Sequence, residues 1–519
     1  LLNSNSASSN KQIDNLLTYD FTVSDHNFSL LAGQSAQLYR VDNFSASVKD
    51  FPNDAIHELN AGINDKDVSG SAKELALSSY FGRLNYNFAD KYMIEFNYRY
   101  DGTSRMRDGY RWGGFPSLSA GWVASNENFL ENSETISFLK LRGSWGQLGN
   151  QRIGDDFYPY TQTLATGQTY LWDDAIAPGV AINSLANPNL TWETTTIMDF
   201  GIDMNLFKNK VQIVADWFDK TSTDILVRVP IPATVGDVQA PFQNVGEVRN
   251  LGWEVGVKGF EKIGDVNISG GFNLSHVTNE VIDYEGLQTI SGNKITRERD
   301  HIQSYYAYVA DGYYQTLDEL ANAPTQPGNP LRIGDIRLKD IGGPDGEPDG
   351  QVDPTYDRTI IGNPFPDLQY SFNLSAAYKG FDIYAFFQGI QGIDRYYWYN
   401  TETNGTFTSA ALDYWTEDNP NASVPRWGNT EANSEYSSFY LKDASYLRLK
   451  NLEIGYTLPT SLTHKVNIKK ARIYFSGVNM FTWLKDDIKD YDPEKVTNDD
   501  RNRDYPSAKV YSVGLNITL

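Results

Sequence analysis

Long stretches that alternate apolar and polar side chains, repeated from one end of the chain to the other, constrain this sequence more than anything else in it. Residues 92 to 100 (YMIEFNYRY) set Tyr92, Ile94, Phe96, Tyr98 and Tyr100 against Met93, Glu95, Asn97 and Arg99. Residues 370 to 378 set Tyr370, Phe372, Leu374 and Tyr378 against Ser371, Asn373 and Ser375, and residues 266 to 274 repeat the pattern. The final strand places Tyr511, Val513, Leu515, Ile517 and Leu519 opposite Val510, Ser512, Gly514, Asn516 and Thr518. Successive side chains of a strand point to opposite faces, so each segment has one greasy and one wet side. A soluble sandwich alternates too, but its strands usually run about five or six residues. Segments of about ten fit the tilted strands of a transmembrane barrel, where every amide inside hydrocarbon is paired within a closed sheet.

Composition narrows the choice further. The mean hydropathy is -0.48, and no apolar run approaches the roughly eighteen residues of a membrane helix. A membrane is therefore crossed by strands or not at all. The net charge of -22 argues against nucleic acid, whose phosphates demand clustered Lys and Arg. There is no cysteine, which excludes disulfides, thiolate metal sites and cysteine nucleophiles. Residues 1 to 9 show no basic region followed by an apolar stretch, so the export signal is expected outside this sequence.

The connections alternate in length as well. Short ones fall near Ser24-Asp25, Ala89-Asp90, Phe207-Lys208-Asn209, Lys262-Ile263-Gly264 and Lys379-Gly380, with somewhat longer ones at 127 to 137 and 458 to 468. Long ones occupy 40 to 71, 104 to 110, 148 to 190, 230 to 242, 278 to 365, 394 to 444 and 484 to 504. Outer-membrane barrels have short periplasmic turns and long external loops, so the long set is expected outside. Spans are expected at 9 to 22, 27 to 39, 73 to 88, 91 to 103, 112 to 126, 138 to 147, 191 to 206, 210 to 229, 243 to 260, 265 to 277, 366 to 378, 381 to 393, 445 to 457, 469 to 482 and 505 to 519, roughly fifteen in all where a bacterial barrel needs an even number. First and last would run the same way, so further strands upstream are expected. The apolar run from Tyr305 to Val309 breaks the alternation and is assigned to an ordered external loop.

Several collinear motifs carry a family resemblance. They include Tyr80-Phe-Gly-Arg-Leu-Asn-Tyr-Asn-Phe, Phe96-Asn-Tyr-Arg-Tyr-Asp-Gly-Thr-Ser-Arg105, Phe115-Pro-Ser-Leu-Ser-Ala-Gly-Trp122, Leu141-Arg-Gly-Ser-Trp-Gly-Gln-Leu-Gly-Asn150, Asn187-Pro-Asn-Leu-Thr-Trp-Glu-Thr-Thr195, Asp443-Ala-Ser-Tyr-Leu-Arg-Leu-Lys-Asn-Leu452 and Gly477-Val-Asn-Met-Phe-Thr-Trp483. In these the chain resembles the SusC/RagA family of TonB-linked outer-membrane transporters over nearly its whole length. The resemblance implies an all-β fold: a transmembrane antiparallel β-barrel of 22 strands, of which this chain supplies about the last fifteen, without the plug domain. It implies the outer membrane of a Gram-negative bacterium of the Bacteroidota, and import of oligosaccharides or peptides. The implied partners are a SusD-like surface lipoprotein, a TonB complex acting through a segment not in this sequence, the remaining barrel and plug, and outer-membrane lipid.

Two motifs are candidate ligand sites. Asp345-Gly-Glu-Pro-Asp-Gly-Gln-Val-Asp353 reads as a calcium loop, with side-chain oxygens from Asp345, Glu347, Asp349 and Asp353, a backbone carbonyl from Gln351 and a turn glycine at Gly350. Tyr356 stands where a bidentate Glu belongs, and Asp357 is the replacement that the resemblance suggests. An acidic solvated turn without metal is the competing reading. The second motif is aromatic: Tyr396, Tyr397, Trp398 and Tyr399, with Trp415 and Trp427 in the same loop, could stack on sugar rings, although such rings also serve barrel girdles and loop packing. Charged residues on the inward faces, Glu95, Arg99, Lys140, Arg142, Glu254 and Lys258, are expected to hold a plug or touch substrate. The five histidines are dispersed, and there is no Walker loop or nucleophile elbow; among 66 Asp and Glu residues a glycosidase-like acid pair is open as a third reading, a β-rich glycan hydrolase, but no enzyme is expected. A soluble all-β carbohydrate-binding protein is the alternative to the transporter.

Overall fold

The computed structural model describes residues 1–519 apart from 54, 155, 174, 237, 329, 398–411, 429, 430, 486, 487, 489, 490 and 496–505. Fifteen strands form one sheet, hydrogen-bonded in chain order. They are β1 (Leu2–Val23), β2 (His26–Lys49), β3 (Asn64–Phe88), β4 (Tyr92–Thr103), β5 (Trp112–Val123), β6 (Ile136–Asn150), β7 (Glu193–Leu206), β8 (Val211–Thr223), β9 (Glu247–Ile263), β10 (Val266–Asp283), β11 (Leu368–Tyr378), β12 (Phe381–Gln391), β13 (Tyr446–Thr457), β14 (Lys470–Leu484) and β15 (Val510–Thr518). Each overlaps one expected span. Every short turn needs left-handed backbone, as at Ala89 and Asp90 (φ 52° and 53°) or Lys379 and Gly380 (φ 45° and 92°). The second pair closes a two-residue hairpin between Tyr378 and Phe381, and positive φ at both central residues matches the right-handed strand twist.

The expectation fails at the far ends of β1 to β3. Residues 40 to 71 are connection only from 50 to 63: β2 and β3 continue through Arg40–Lys49 and Asn64–Lys73, and β1 keeps its register from Val23↔His26 to Leu2↔Ser47. At about 3.3 Å per residue these strands reach roughly 70–80 Å, more than twice the hydrocarbon thickness. The Ser- and Asn-rich ends lack a long apolar row, although Ala46 and Val48 of β2 are buried, and ladder hydrogen bonds carry the strands on.

Two compact units are distinguishable. The first comprises residues 1–131, 140–200 and 218–249. Here the register aligns Tyr19, Leu30, Leu84, Phe96, Leu118 and Trp145 across six strands on one face, and all six are exposed. Aromatic belts bound this face. At the turn end His26 packs on Phe88 at 4.7 Å, while the Tyr92 hydroxyl, Trp122 Nε1 and Lys91 Nζ all donate to Glu127 at 2.6, 3.2 and 3.1 Å. At the long-connection end Tyr100 stacks on Trp112 at 4.9 Å. Tyr92 to Tyr100 spans about 27 Å along the strand, which matches an apolar band about 25 Å tall.

The second unit comprises residues 132–139, 201–217 and 250–519. It continues the same design, with Ile268, Ala376, Ile383, Ile454, Phe475 and Val513 aligned on one face and Ser269, Ser375, Tyr384, Glu453, Ser476 and Ser512 on the other. Its largest buried cluster lies in the long connections: Tyr305, Tyr308, Tyr313, Ile336, Leu338, Tyr396, Trp415, Val424 and Tyr440 pack together. The run at 305 to 309 is ordered and stands outside the fifteen-stranded sheet, as expected: Ser304–Tyr308 is an inner strand of a small sheet, between Lys294–Arg297 and Arg358–Gly362.

Candidate functional site

The wet face of the sheet concentrates the charge. In the first unit a cavity of about 820 Å³ is lined by Asp20, Glu95, Lys140, Arg142 and Asp199, together with other polar residues and with apolar ones such as Phe21, Phe28 and Ile94. Arg142 Nη1 donates to Asp199 at 3.3 Å. Three of the six inward charges singled out from sequence thus meet in one place. Arg99 does not join them; it pairs with Asp101 at 2.9 Å and lies 4.8 Å over the Phe81 ring. In the second unit Glu254 borders a cavity of about 460 Å³ with Asp216, Asn273, Gln369 and Gln388, and Lys258 lies against Gly271 on the same face.

Two ionic networks on this face escaped sequence reading. Arg472 binds Asp382 and, at 2.7 Å, Glu453. Gly455 makes room for it: a methyl there would sit 2.3 Å from Arg472 Nη2. Nearer the long connections, Arg448 holds Asp492 at 2.6 Å and Glu494 at 2.5 Å. The register shift between Leu449 and Asn451 leaves Lys450 unpaired in the ladder, and its Nζ reaches Glu494 at 2.7 Å. Burial pushes the Asp492 carboxyl up, but the Arg448 and Ser507 bonds outweigh it and hold the group down at about 2. No spacing in the sequence marks either network, because the partners lie on different strands and loops.

The aromatic candidates divide. Tyr396 and Tyr397 are each 3 % exposed and Trp415 is 8 % exposed. They cannot stack on a sugar, because they form the loop core: Tyr396 Oη accepts from Ser437 N at 3.1 Å, Tyr397 packs on Tyr491 at 5.1 Å, and Trp415 Nε1 donates to Gln315 at 3.1 Å. Trp427 remains 40 % exposed beside Tyr414, with ring centres 6.0 Å apart. Trp398 and Tyr399 lie outside the described residues. The two long loops, treated as separate in sequence, fold together. Tyr308 N donates to Tyr436 O at 3.1 Å, Tyr313 Oη to Ala422 O at 3.0 Å, and Arg426 Nε to buried Asp335 at 2.7 Å.

The acidic loop is organised by backbone amides. Asp357, fully buried, accepts from Ile341 N and Gly342 N through Oδ1 at 2.7 and 3.1 Å, and from Asp353 N through Oδ2 at 2.8 Å. Asp353 accepts from Thr355 N at 2.7 Å and Asp349 from Gln351 N at 2.9 Å. Asp345 and Glu347 are exposed. Asp340, absent from the sequence motif, takes Gly350 N at 2.6 Å. Among the described residues no three acidic or histidine side chains converge as a metal cage. As placed, these carboxylates do not fit calcium. Tyr511, Val513, Leu515 and Ile517 are exposed on the apolar face of β15, and Leu519, just beyond its end, is exposed too.

A sheet with one continuous unpacked apolar face, aromatic belts and a charged opposite face is a barrel wall. The family profile described as TonB dependent receptor-like, beta-barrel matches residues 2–480. The chain belongs to this family. It is 32% identical to TonB-dependent receptor P3 of Formosa agariphila over 533 residues, covering 97% of this chain and 52% of that protein. It is 28% identical to TonB-dependent receptor SusC of Bacteroides thetaiotaomicron, covering 87% and 44%. A solved structure of the RagAB peptide transporter superposes with a TM-score of 0.81 at 27% identity, covering 99% of this chain and 56% of that one. The chain spans about half the length of the relatives it matches.

Proposed function

We propose that this TonB-dependent receptor barrel acts in a SusC-like importer of the Gram-negative outer membrane, energised through TonB and working with a SusD-type surface lipoprotein. Its cargo on this reading is oligosaccharide or peptide. The observation that carries the reading is the division of one sheet into an exposed apolar face of bilayer height and a face holding Asp20, Glu95, Lys140, Arg142 and Asp199 around an open cavity. Similarity to SusC and to the RagAB transporter supports the partner and the import direction. Catalysis is not part of the proposal: the family is one of transporters and receptors. The soluble carbohydrate-binding alternative loses its main support, since Tyr396, Tyr397 and Trp415 are buried.

The test is uptake in the native organism. Deleting the gene, or the energising complex, should abolish growth on the cargo, and the detergent-extracted protein should carry a lipoprotein with it. Uptake that persists without inner-membrane energy, or a monodisperse protein in plain buffer, would refute the proposal.

A further inference from the structure

The connection after β5 is one of the two longer ones at the turn end, and nothing in import as described so far uses it. It leaves the sheet at Val123 and is fixed to it. Val123, Ala124 and Ser125 are buried, Val123 N donates to Lys91 O at 2.7 Å, and Asn126 Nδ2 donates to Asp90 O at 3.1 Å. Ala124–Asn126 make a 3-10 turn, and Leu130 N and Glu131 N both return to Glu127 O at 2.9 Å. Glu127 is the clamp, because the Tyr92, Trp122 and Lys91 donors converge on its carboxylate and leave its side chain only 17 % exposed.

This fixed turn holds one ring out from the protein. Phe129 is 70 % exposed, and its ring centre lies 6.4 Å from that of Trp122. Trp122 stands opposite Tyr92 on one side and Leu141 on the other, and both of these are exposed on the apolar face. Phe129 therefore carries the aromatic belt of that face past the end of β5. With the backbone held on both sides of it, the ring finds its cover outside the described residues. A plug would lie against the wet face, which Trp122 does not share, whereas the medium meeting Tyr92 and Leu141 continues directly onto Phe129. Asp90 and Glu131 are exposed close by in sequence or through the Asn126 bond. A ring beside charged groups at the rim of an apolar wall is the composition of a membrane interface.

We propose that residues 124 to 131 form a foot seated at the boundary between phospholipid headgroups and acyl chains, with Phe129 among the chains and Glu131 in headgroup water. The proposal rests on the apolar face being the bilayer face and extends lipid contact from the strands to a connection. Glu127 is its positioning residue, since it joins the turn to Tyr92, Trp122 and Lys91 at once.

The test uses the full-length protein with its lipoprotein, reconstituted in vesicles of phosphatidylethanolamine and phosphatidylglycerol. This sequence has no cysteine, so a nitroxide attached through Phe129→Cys, with any cysteine elsewhere in the full-length protein changed to serine, reports a single position. Its collisions with oxygen, which partitions into lipid, are compared with collisions with a water-soluble nickel chelate; Glu131→Cys and Leu118→Cys are measured in the same way. The oxygen-to-nickel ratio at position 129 should be at least tenfold that at 131 and lower than that at 118, because the foot enters the leaflet less deeply than the wall. Adding Glu127→Ala should free the label at 129 and lower its ratio at least threefold. A ratio at 129 equal to that at 131 would place the ring in water and overturn the proposal. A label at 129 that is immobilised and reached by neither reagent would reveal a protein cover and overturn it too, and an unchanged spectrum and ratio in the Glu127→Ala background would remove Glu127 from its role. High oxygen access at 118 confines any such failure to the foot, whereas low access there would take the lipid-facing wall and the importer reading with it.

Discussion

Asp335, in the folded long connections, is a carboxylate fully removed from solvent. It accepts from Arg332 N at 2.8 Å, Asn433 Nδ2 at 3.0 Å and Arg426 Nε at 2.7 Å, so it ties residues 332 to 335 to a segment about ninety positions away. Removing one partner of such a buried pair strands the other charge and costs about 3–5 kcal/mol. Asp335→Ala should open the 278–365 and 394–444 segments to protease while the sheet stays heat-modifiable; an unchanged cleavage pattern would show that the pair is dispensable. Asp492 makes a second test. Its folded value, about 2, lies below the ordinary 3.8, so the stability it contributes is present above about pH 4 and lost as pH falls through about 2. Proteolysis around residues 485 to 495 should therefore rise in acid below pH 4, and Asp492→Asn should show the acid pattern at neutral pH. Neither residue could be chosen from sequence. Gly-Asp-Ile-Arg and Lys-Asp-Tyr-Asp-Pro look like solvated turns, and only folding supplies the partners Arg426 and Arg448.

At the scale of elements the sequence was most readable where a physical period governs it. The fifteen strands follow from two-residue alternation, and the short turns from the breaks in it, where Asp90, Asn209, Gly264 and Gly380 take positive φ beside less usual residues such as Ala89 and Lys379. Where no period operates the reading failed. The outer reaches of β1 to β3 are strand without an apolar side, and Tyr396, Tyr397 and Trp415 look the same in sequence whether they face a ligand or their own loop. Within a loop of this length, burying aromatics against each other is the cheaper way to fix the backbone. The acidic motif shows the same ambiguity. Spacing alone suggested calcium, whereas Asp357 is engaged by three amides, and leaving those donors unsatisfied costs roughly 1–3 kcal/mol each. Asp357→Ala should thus loosen the loop by several kcal/mol and expose it to protease. Chelator on the wild type should leave the digest unchanged; a chelator effect equal to the mutation would restore calcium as the organising group.

For the whole molecule, the physical question is what solvates the apolar face. Tyr19, Leu84, Phe96 and Trp145 in one unit and Ile383, Ile454 and Val513 in the other are exposed, in rows too long and too regular to be scattered surface hydrophobes. In water such rows would drive aggregation; in hydrocarbon they cost nothing, and the pairing of strands satisfies the backbone. The two explanations separate at β15, where Leu515 lies opposite Ile473 and Ile517 opposite Ala471. Changing both to Asp puts two charges where the bilayer would be, at a depth-dependent cost on the order of a few kcal/mol, and adds only solubility if the face is wet. Leu515→Asp/Ile517→Asp should therefore abolish heat-modifiable protein in outer membranes. Ser512→Asp, on the wet face of the same strand opposite Ser476, should insert normally. Were the two substitutions on the apolar face tolerated as well as the one on the wet face, lipid could not be the medium this face meets, and the importer reading would lose its physical basis.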